Sequence, residues 1–140
     1  MRKLLKVPLL IPLLVMAVGC AAEQRAEFAQ LLQAASEAEL EEALAGFTPG
    51  PPQQCVRSRD LTGPQSIGDN TLLFRVSRNL MYRTETRGSC NRIGKGEALI
   101  TRSYGNELCR GDIAQAADLS LGIQSDTCVL GEFVAYRRTR

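Results

Sequence analysis

The chain has 140 residues, of which 44% are apolar and 23% charged, and its formal net charge at pH 7 is +2. It contains no histidine, the residue that most often serves in acid–base catalysis at neutral pH and in zinc binding. No stretch combines aromatic and basic residues as single-strand nucleic-acid binders do, so nucleic acid is not an expected partner.

The first twenty residues, MRKLLKVPLLIPLLVMAVGC, have the layout of a bacterial export signal. Three basic residues precede an apolar run of about a dozen residues, which is too short for a membrane span of about 20 residues. The ending AVGC resembles the lipobox of bacterial lipoproteins. Residues 1–19 are therefore predicted to be a cleaved lipoprotein signal, and Cys20 to become the lipid-bearing N-terminus. Ordinary cleavage nearby, for instance after Ala22, is the alternative and would remove Cys20.

Lipidation at Cys20 would make the membrane a partner, because two or three acyl chains give stable anchoring. Ala21, rather than Asp, follows this cysteine, as in lipoproteins that move on to the outer membrane. We therefore expect the protein at the periplasmic face of the outer membrane. A soluble periplasmic protein is the alternative.

The next segment, residues 21–47, is acidic, with six glutamates against Arg25 and a net charge of −5. Alanine, leucine, glutamine and glutamate dominate it, and all four favour helix. Four apolar residues recur at helical spacing and predict one apolar stripe of a helix. They are Phe28, Leu31, Leu32 and Ala35.

Ser36 and Glu39 match a capping box, which predicts that a second short helix begins there. The run TPGPP at residues 48–52 should end the helix and stiffen the chain into a linker, since proline cannot continue a helix. The sequence thus predicts an acidic helical spacer and Pro-rich linker over residues 20–52. Residues 53–140 are expected to fold without this segment.

From residue 53 to residue 140 the pattern changes to alternating apolar and polar residues with frequent turn residues, which indicates short strands. Leu72, Phe74 and Val76 would share one face of the first strand of a hairpin that turns at residues 77–79. The predicted fold is mainly β, a small disulfide-stapled antiparallel sheet or partly closed barrel after a short helical segment. The main predicted strands are residues 71–76, 80–87, 98–104 and 127–137, the last with Gly131 as a bulge.

Without Cys20, four cysteines remain in an oxidising compartment, and no two have the spacing C-x-x-C. Two disulfides are the expected state, with a free reactive thiol or metal thiolates as alternatives, and no metal or cofactor is expected. Three pairings are open. We favour Cys90 with Cys109 and Cys55 with Cys128, nested loops that would stabilise by roughly 3 and 4.5 kcal/mol.

Four runs resemble a family of small four-cysteine proteobacterial envelope proteins, many of which carry a lipoprotein-type signal. They are CVRSRDL, DNTLLFRVSRNLMYRTETRGSC, ELCRGDI and DTCVLGEFVAYR. The resemblance covers roughly residues 53–138 and leaves out the acidic helix. It implies a secreted β-rich domain and carries over no catalytic residue.

Residues 48–140 hold thirteen basic against nine acidic residues, a net charge of +4. We hypothesise that Arg75, Arg83 and Arg102 converge on one face and bind a carboxylate or phosphate group, since arginine binds both in a bidentate manner. A solvated face laced with salt bridges is one alternative. A third arrangement has the acidic helix folding back over the basic face.

These observations predict a noncatalytic envelope module that binds a partner protein or an anionic envelope ligand. No catalytic residue is assigned, because histidine is absent and the aspartates are scattered beside turn residues. A periplasmic enzyme or enzyme inhibitor is the alternative.

Overall fold

The computed structural model describes residues 11–103 and 105–139, with side chains described from residue 22 onward. The first ten residues of the predicted signal and the side chain of Cys20 lie outside the described part of the chain. The chain divides into two compact units, Met1–Ala35 and Ser36–Arg140. Among the described residues, no helix is both long enough and apolar enough to cross a bilayer.

One helix, α1, runs from Ile11 to Ala43. The prediction of a second helix beginning at Ser36 is wrong, because α1 continues through this residue without interruption. Good helix formers lie on both sides of Ser36, with no glycine or proline near it to end the first helix. Three residues of the predicted stripe are at the surface, with exposed fractions between 54% and 63%. They are Phe28, Leu31 and Leu32.

The second unit is built around an antiparallel sheet with the strand order β3-β4-β5-β9-β8-β6, in which β1 also pairs with β9. A separate two-stranded ribbon joins β2 to β7. The mainly β fold with a curled antiparallel sheet and an N-terminal helix confirms the predicted fold class. The strands are β1 Phe47–Gln53, β2 Cys55–Arg57, β3 Thr62–Ile67, β4 Thr71–Ser77, β5 Leu80–Gly88, β6 Ala98–Arg102, β7 Glu107–Cys109, β8 Ile113–Asp118 and β9 Ile123–Arg138.

Strand β9 is the central strand of the sheet and changes partner along its length. Its first half pairs with β8, its second half pairs with β1, and β5 pairs with it from the other side. The change coincides with a bulge, where the β5 register shifts between Thr84 and Thr86. Gly131 lies there, and a Cβ at this position would come within 2.5 Å of the Glu85 carbonyl oxygen. The predicted bulge is confirmed, and the close backbone approach explains the glycine.

The Pro-rich segment after the helix is a strand and not a linker, so that prediction is wrong. Strand β1 pairs with β9 from Phe47 opposite Arg138 to Gln53 opposite Phe133, with a register shift between Pro49 and Pro52. Proline is tolerated here because β1 has β9 as its one strand partner among the described residues, so a missing N–H need not face a second strand.

The sheet buries apolar residues on both faces. The main core includes Leu72, Phe74 and Phe133, and the two phenylalanine rings lie 6.2 Å apart. A second core on the opposite face contains Ile67, Leu73 and Met81. Residues from the end of α1, from the turn that follows it and from β1 cover this second core. They are Leu40, Ala43, Leu44 and Phe47, together with Tyr136 of β9.

The four cysteines after Cys20 form two disulfides, as predicted, but the favoured pairing is wrong. Cys55 is bonded to Cys109, and Cys90 to Cys128. Strand register determines both pairs, since Cys55 lies opposite Cys109 in the β2–β7 ribbon. Cys90 follows the end of β5, where Gly88 lies opposite Cys128.

Candidate anion-binding site

An open cleft of about 420 Å³ lies at the turn end of the β4–β5 hairpin. We call it the arginine cleft and define it by its lining residues, Arg75, Arg78, Asn79 and Arg138. Arg75 is near the end of β4, Arg78 and Asn79 form the turn, and Arg138 is the last residue of β9. The backbone N–H of Arg138 donates to the Asn79 carbonyl at 3.0 Å, which joins the end of β9 to the turn. Sheet register therefore brings together arginines that are 60 residues apart in the chain.

The side chain of Arg138 is held in place from two sides. Its Cζ lies 4.6 Å from the centre of the Phe47 ring, a cation–π contact. Its Nε donates to the Arg78 carbonyl at 3.3 Å. Among the described residues, only Nε of this guanidinium has a hydrogen-bond partner, so the two terminal nitrogens can donate to a ligand. Phe47 in turn packs against the second core, so the guanidinium rests on a supported ring.

No carboxylate of the described residues forms a salt bridge with an arginine of the arginine cleft. Four salt bridges join described residues: Arg59–Asp60, Arg83–Glu85, Arg92–Glu97 and Arg110–Glu132. None of them includes Arg75, Arg78 or Arg138. Three guanidinium groups that share one cleft without a described acidic partner create a locally positive potential, which attracts anions.

The structure brings one member of the predicted arginine trio into this cleft. Arg75 lines it, whereas Arg83 lies on the same face of the hairpin but is occupied elsewhere. Arg83 forms an ion pair with Glu85 and donates to the Tyr136 hydroxyl at 3.4 Å. Partial burial would lower the pKa of Arg83, but the Tyr136 hydrogen bond and the Glu85 charge outweigh it and raise that pKa. Arg83 is thus a structural ion-pair residue.

Arg102 does not join the other two arginines. It ends β6, and β5, β9 and β8 lie between β4 and β6 in the sheet. At about 4.8 Å per strand, β4 and β6 are roughly 19 Å apart along the sheet. The predicted convergence of Arg75, Arg83 and Arg102 is therefore not found.

Sequence reasoning missed Arg78 and Arg138. The sequence predicts a turn at residues 77–79, which already places Arg78 at the tip of the hairpin. Locating Arg138 beside it requires knowing that β9 pairs with β5 and that Arg137 lies opposite Leu80. The adjacent Arg137 and Arg138 are a signal in the sequence. Together with the prediction that the last strand pairs with the hairpin, they would have located the arginine cleft.

A second cleft, of about 320 Å³, lies where the β2–β7 ribbon meets the β4–β5 hairpin. We call it the mouth cleft. Its apolar wall includes Val56, Val76, Leu80 and Tyr82, and Cys55 and Glu107 also line it.

The Sγ atoms of Cys55 and Cys109 and a carboxylate oxygen of Glu107 lie within 4.8 Å of one another, a spacing that could suit a metal ion. The two sulfurs are joined to each other, however, and a thiolate is the form that binds metal. This set of atoms therefore offers only one carboxylate to a metal ion in the oxidised chain.

Comparisons with protein-family models, with curated proteins and with solved structures find no match for this chain.

Proposed function

We propose that this protein is a lipid-anchored component of the bacterial cell envelope that binds an anionic group in the arginine cleft without catalysing a reaction. One observation carries the proposal: Arg75, Arg78 and Arg138 share a cleft in which the described residues provide no carboxylate partner. Arginine binds phosphate and carboxylate through two parallel hydrogen bonds, and such charge-assisted bonds are stronger than neutral ones.

The local construction supports binding more than it supports a solvated surface. Arg138 is fixed by the Phe47 ring and by the Arg78 carbonyl, so less side-chain freedom is lost when a ligand binds. A solvated arginine needs neither contact. The lipid anchor and the location at the outer membrane are part of the proposal and rest on the signal and lipobox of residues 1–20.

The test measures binding of the full chain, purified in a neutral detergent, to inorganic pyrophosphate and to citrate by isothermal titration calorimetry. Pyrophosphate probes phosphate ligands, and citrate probes carboxylate ligands. We expect the affinity to fall as salt concentration rises, because the binding is electrostatic.

The variants Arg78→Ala and Arg138→Ala should each weaken binding by about ten- to a hundredfold, since a charge-assisted hydrogen bond contributes about 1.5–3 kcal/mol. Arg102→Ala is the matched control, because it removes the same charge from an exposed strand end outside the cleft. Equal losses in all three variants would show that net charge, and not this cleft, determines binding. No binding of either anion by the unmodified chain would refute the proposal.

A further inference from the structure

The two disulfides lie in different surroundings. Cys90 and Cys128 are each 1% exposed and belong to the main core. Cys55 and Cys109 are only half-buried. Disulfide exchange requires that a thiolate reach one of the sulfurs, so access alone separates the two bonds.

The pairing of β2 with β7 explains the accessibility of the Cys55–Cys109 disulfide. The middle pair of this ribbon, Val56 and Leu108, points into the main core and is 4% and 2% exposed. Because side chains alternate along a strand, the cysteine pair on one side of it points away from that core. The disulfide thus lies on the outward face of a ribbon whose inward face is firmly packed.

The ribbon does not depend on the disulfide alone. The backbone N–H of Ser58 donates to the Asn106 carbonyl at 2.9 Å, and the N–H of Arg110 donates to the Gln54 carbonyl at 2.7 Å. These hydrogen bonds flank the ribbon on both sides, in addition to the packing of its middle pair. Opening of the bond between the sulfurs should therefore leave the ribbon in place, so the bond can open and close without unfolding.

The mouth cleft distinguishes the two sulfurs. Cys55 lines the cleft, and Cys109 is not among its described lining residues. The cleft's apolar wall of Val76, Leu80 and Tyr82 can receive an apolar side chain of an incoming partner. We therefore expect a thiolate that enters from the cleft to reach Cys55 before Cys109.

We propose that Cys55–Cys109 is a thiol–disulfide exchange site for a dithiol reductant, and that Cys55 is the sulfur attacked. A partner thiolate bonds to Sγ of Cys55, the bond between the two cysteines breaks, and Cys109 leaves as a thiolate that takes a proton from water. The partner's second thiol, as thiolate, then bonds to the partner's first sulfur and releases Cys55 as a thiolate, which is protonated in turn. The protein disulfide is reduced, and the dithiol is oxidised to a disulfide.

The carboxylate of Glu107 should slow this step electrostatically. One of its oxygens lies within 4.8 Å of both sulfurs, so it repels an approaching thiolate. The variant Glu107→Gln, which lacks this negative charge, should therefore react faster with an anionic thiolate.

The first experiment compares the reduction rates of the two disulfides. The full chain in neutral detergent is exposed to dithiothreitol without denaturant, and samples are alkylated at intervals. Trypsin cuts after Arg57, Arg87, Arg92, Arg102, Arg110 and Arg137, which places each of the four cysteines on a separate peptide for mass spectrometry. We expect Cys55 and Cys109 to become alkylated at least tenfold faster than Cys90 and Cys128. Equal rates for all four, or no reaction before denaturant is added, would overturn the proposal.

The second experiment identifies the attacked sulfur. Glutathione, a monothiol, should leave a mixed disulfide on the Cys55 peptide and a free, alkylated Cys109. A mixed disulfide mainly on Cys109 would overturn the assignment. Glu107→Gln should speed the attack by glutathione severalfold at low salt, whereas Asp126→Asn, a change of the same charge on β9, should not. If Glu107→Gln reacts with glutathione at the same rate as the unmodified chain, the proposal that the thiolate approaches through the mouth cleft beside this carboxylate is overturned.

Discussion

Replacement of Leu73 by alanine tests whether the end of α1 is part of the sheet unit. Leu73 alternates with Leu72 along β4, so the two side chains lie on opposite faces of the sheet. Leu72 is 1% exposed in the main core, and Leu73 is 2% exposed beneath Leu40, Leu44 and Phe47. Because both residues are fully buried, Leu73→Ala and Leu72→Ala should each lower the free energy of unfolding by about 3 kcal/mol, within the usual 2–5 kcal/mol.

The predicted change is large enough for thermal unfolding to resolve. For a unit of about 100 residues, each kcal/mol lowers Tm by about 4–8 °C, so a loss of 3 kcal/mol corresponds to about 12–24 °C. Circular dichroism of the oxidised full chain at the strand signal would follow the transition, and chemical denaturation would give the free energy independently.

Leu72→Ala serves as the matched control, since it removes the same atoms from the face that the helix does not cover. If the segment up to residue 52 were only a spacer and linker, Leu73 would lose the cover of Leu40, Leu44 and Phe47, and its replacement would change stability much less than Leu72→Ala does. A small effect at Leu73 beside a large effect at Leu72 would therefore refute the second core. It would also restore the idea that residues 53–140 fold without the helix.

Three further predictions concern the bulge, the β8–β9 turn and the anchor. Gly131→Ala should destabilise the chain by about 1–3 kcal/mol in chemical denaturation, because its Cβ would meet the Glu85 carbonyl oxygen at 2.5 Å; Gly50→Ala, whose nearest atom would lie at 3.4 Å, is the control. Hydrogen bonds from the Ser120 hydroxyl and from the backbone N–H groups of Leu121 and Ser120 lower the pKa of Asp118. The contribution of Asp118 to stability should therefore be present above the unfolded-state pKa and be lost as pH falls through the lower folded-state pKa. A carbon-13 NMR titration of the folded chain would show the lowered pKa of this carboxyl group. Mass spectrometry of membrane-extracted protein should find lipid on Cys20, and a soluble form that begins at Glu23 would contradict this.

Patterns within short stretches of sequence predicted those parts of the fold that depend on neighbouring residues in the chain. The β4–β5 hairpin follows from two alternating runs around a short turn, and the Gly131 bulge from a glycine inside a long alternating run. Strand β8 is not among the main predicted strands, since its sequence IAQAAD holds three alanines and lacks a strong alternation of apolar and polar residues. Its place in the sheet comes from β9, which pairs with it and supplies burial that the isolated segment does not reveal.

The features that were missed depend on contacts between distant segments. The disulfide pairing was judged from loop length, yet the register of β2 with β7 and of β5 with β9 determines it. The three prolines after the helix predicted a linker, because proline removes a backbone donor. Strand β1 avoids this cost by lying along β9, which is its one described strand partner.

The arginine cleft joins these long-range features to function. Three positive charges within one cleft repel one another, and the fold must hold them in place against that repulsion. The pairing of Phe47 with Arg138 does so by laying β1 along the end of β9. The Phe47 ring then packs on the second core on one side and under the guanidinium on the other. Phe47, which lies in the predicted spacer and linker over residues 20–52, therefore covers the second core and supports the site, so the arginine cleft should lose its order whenever the end of α1 and β1 separate from the sheet.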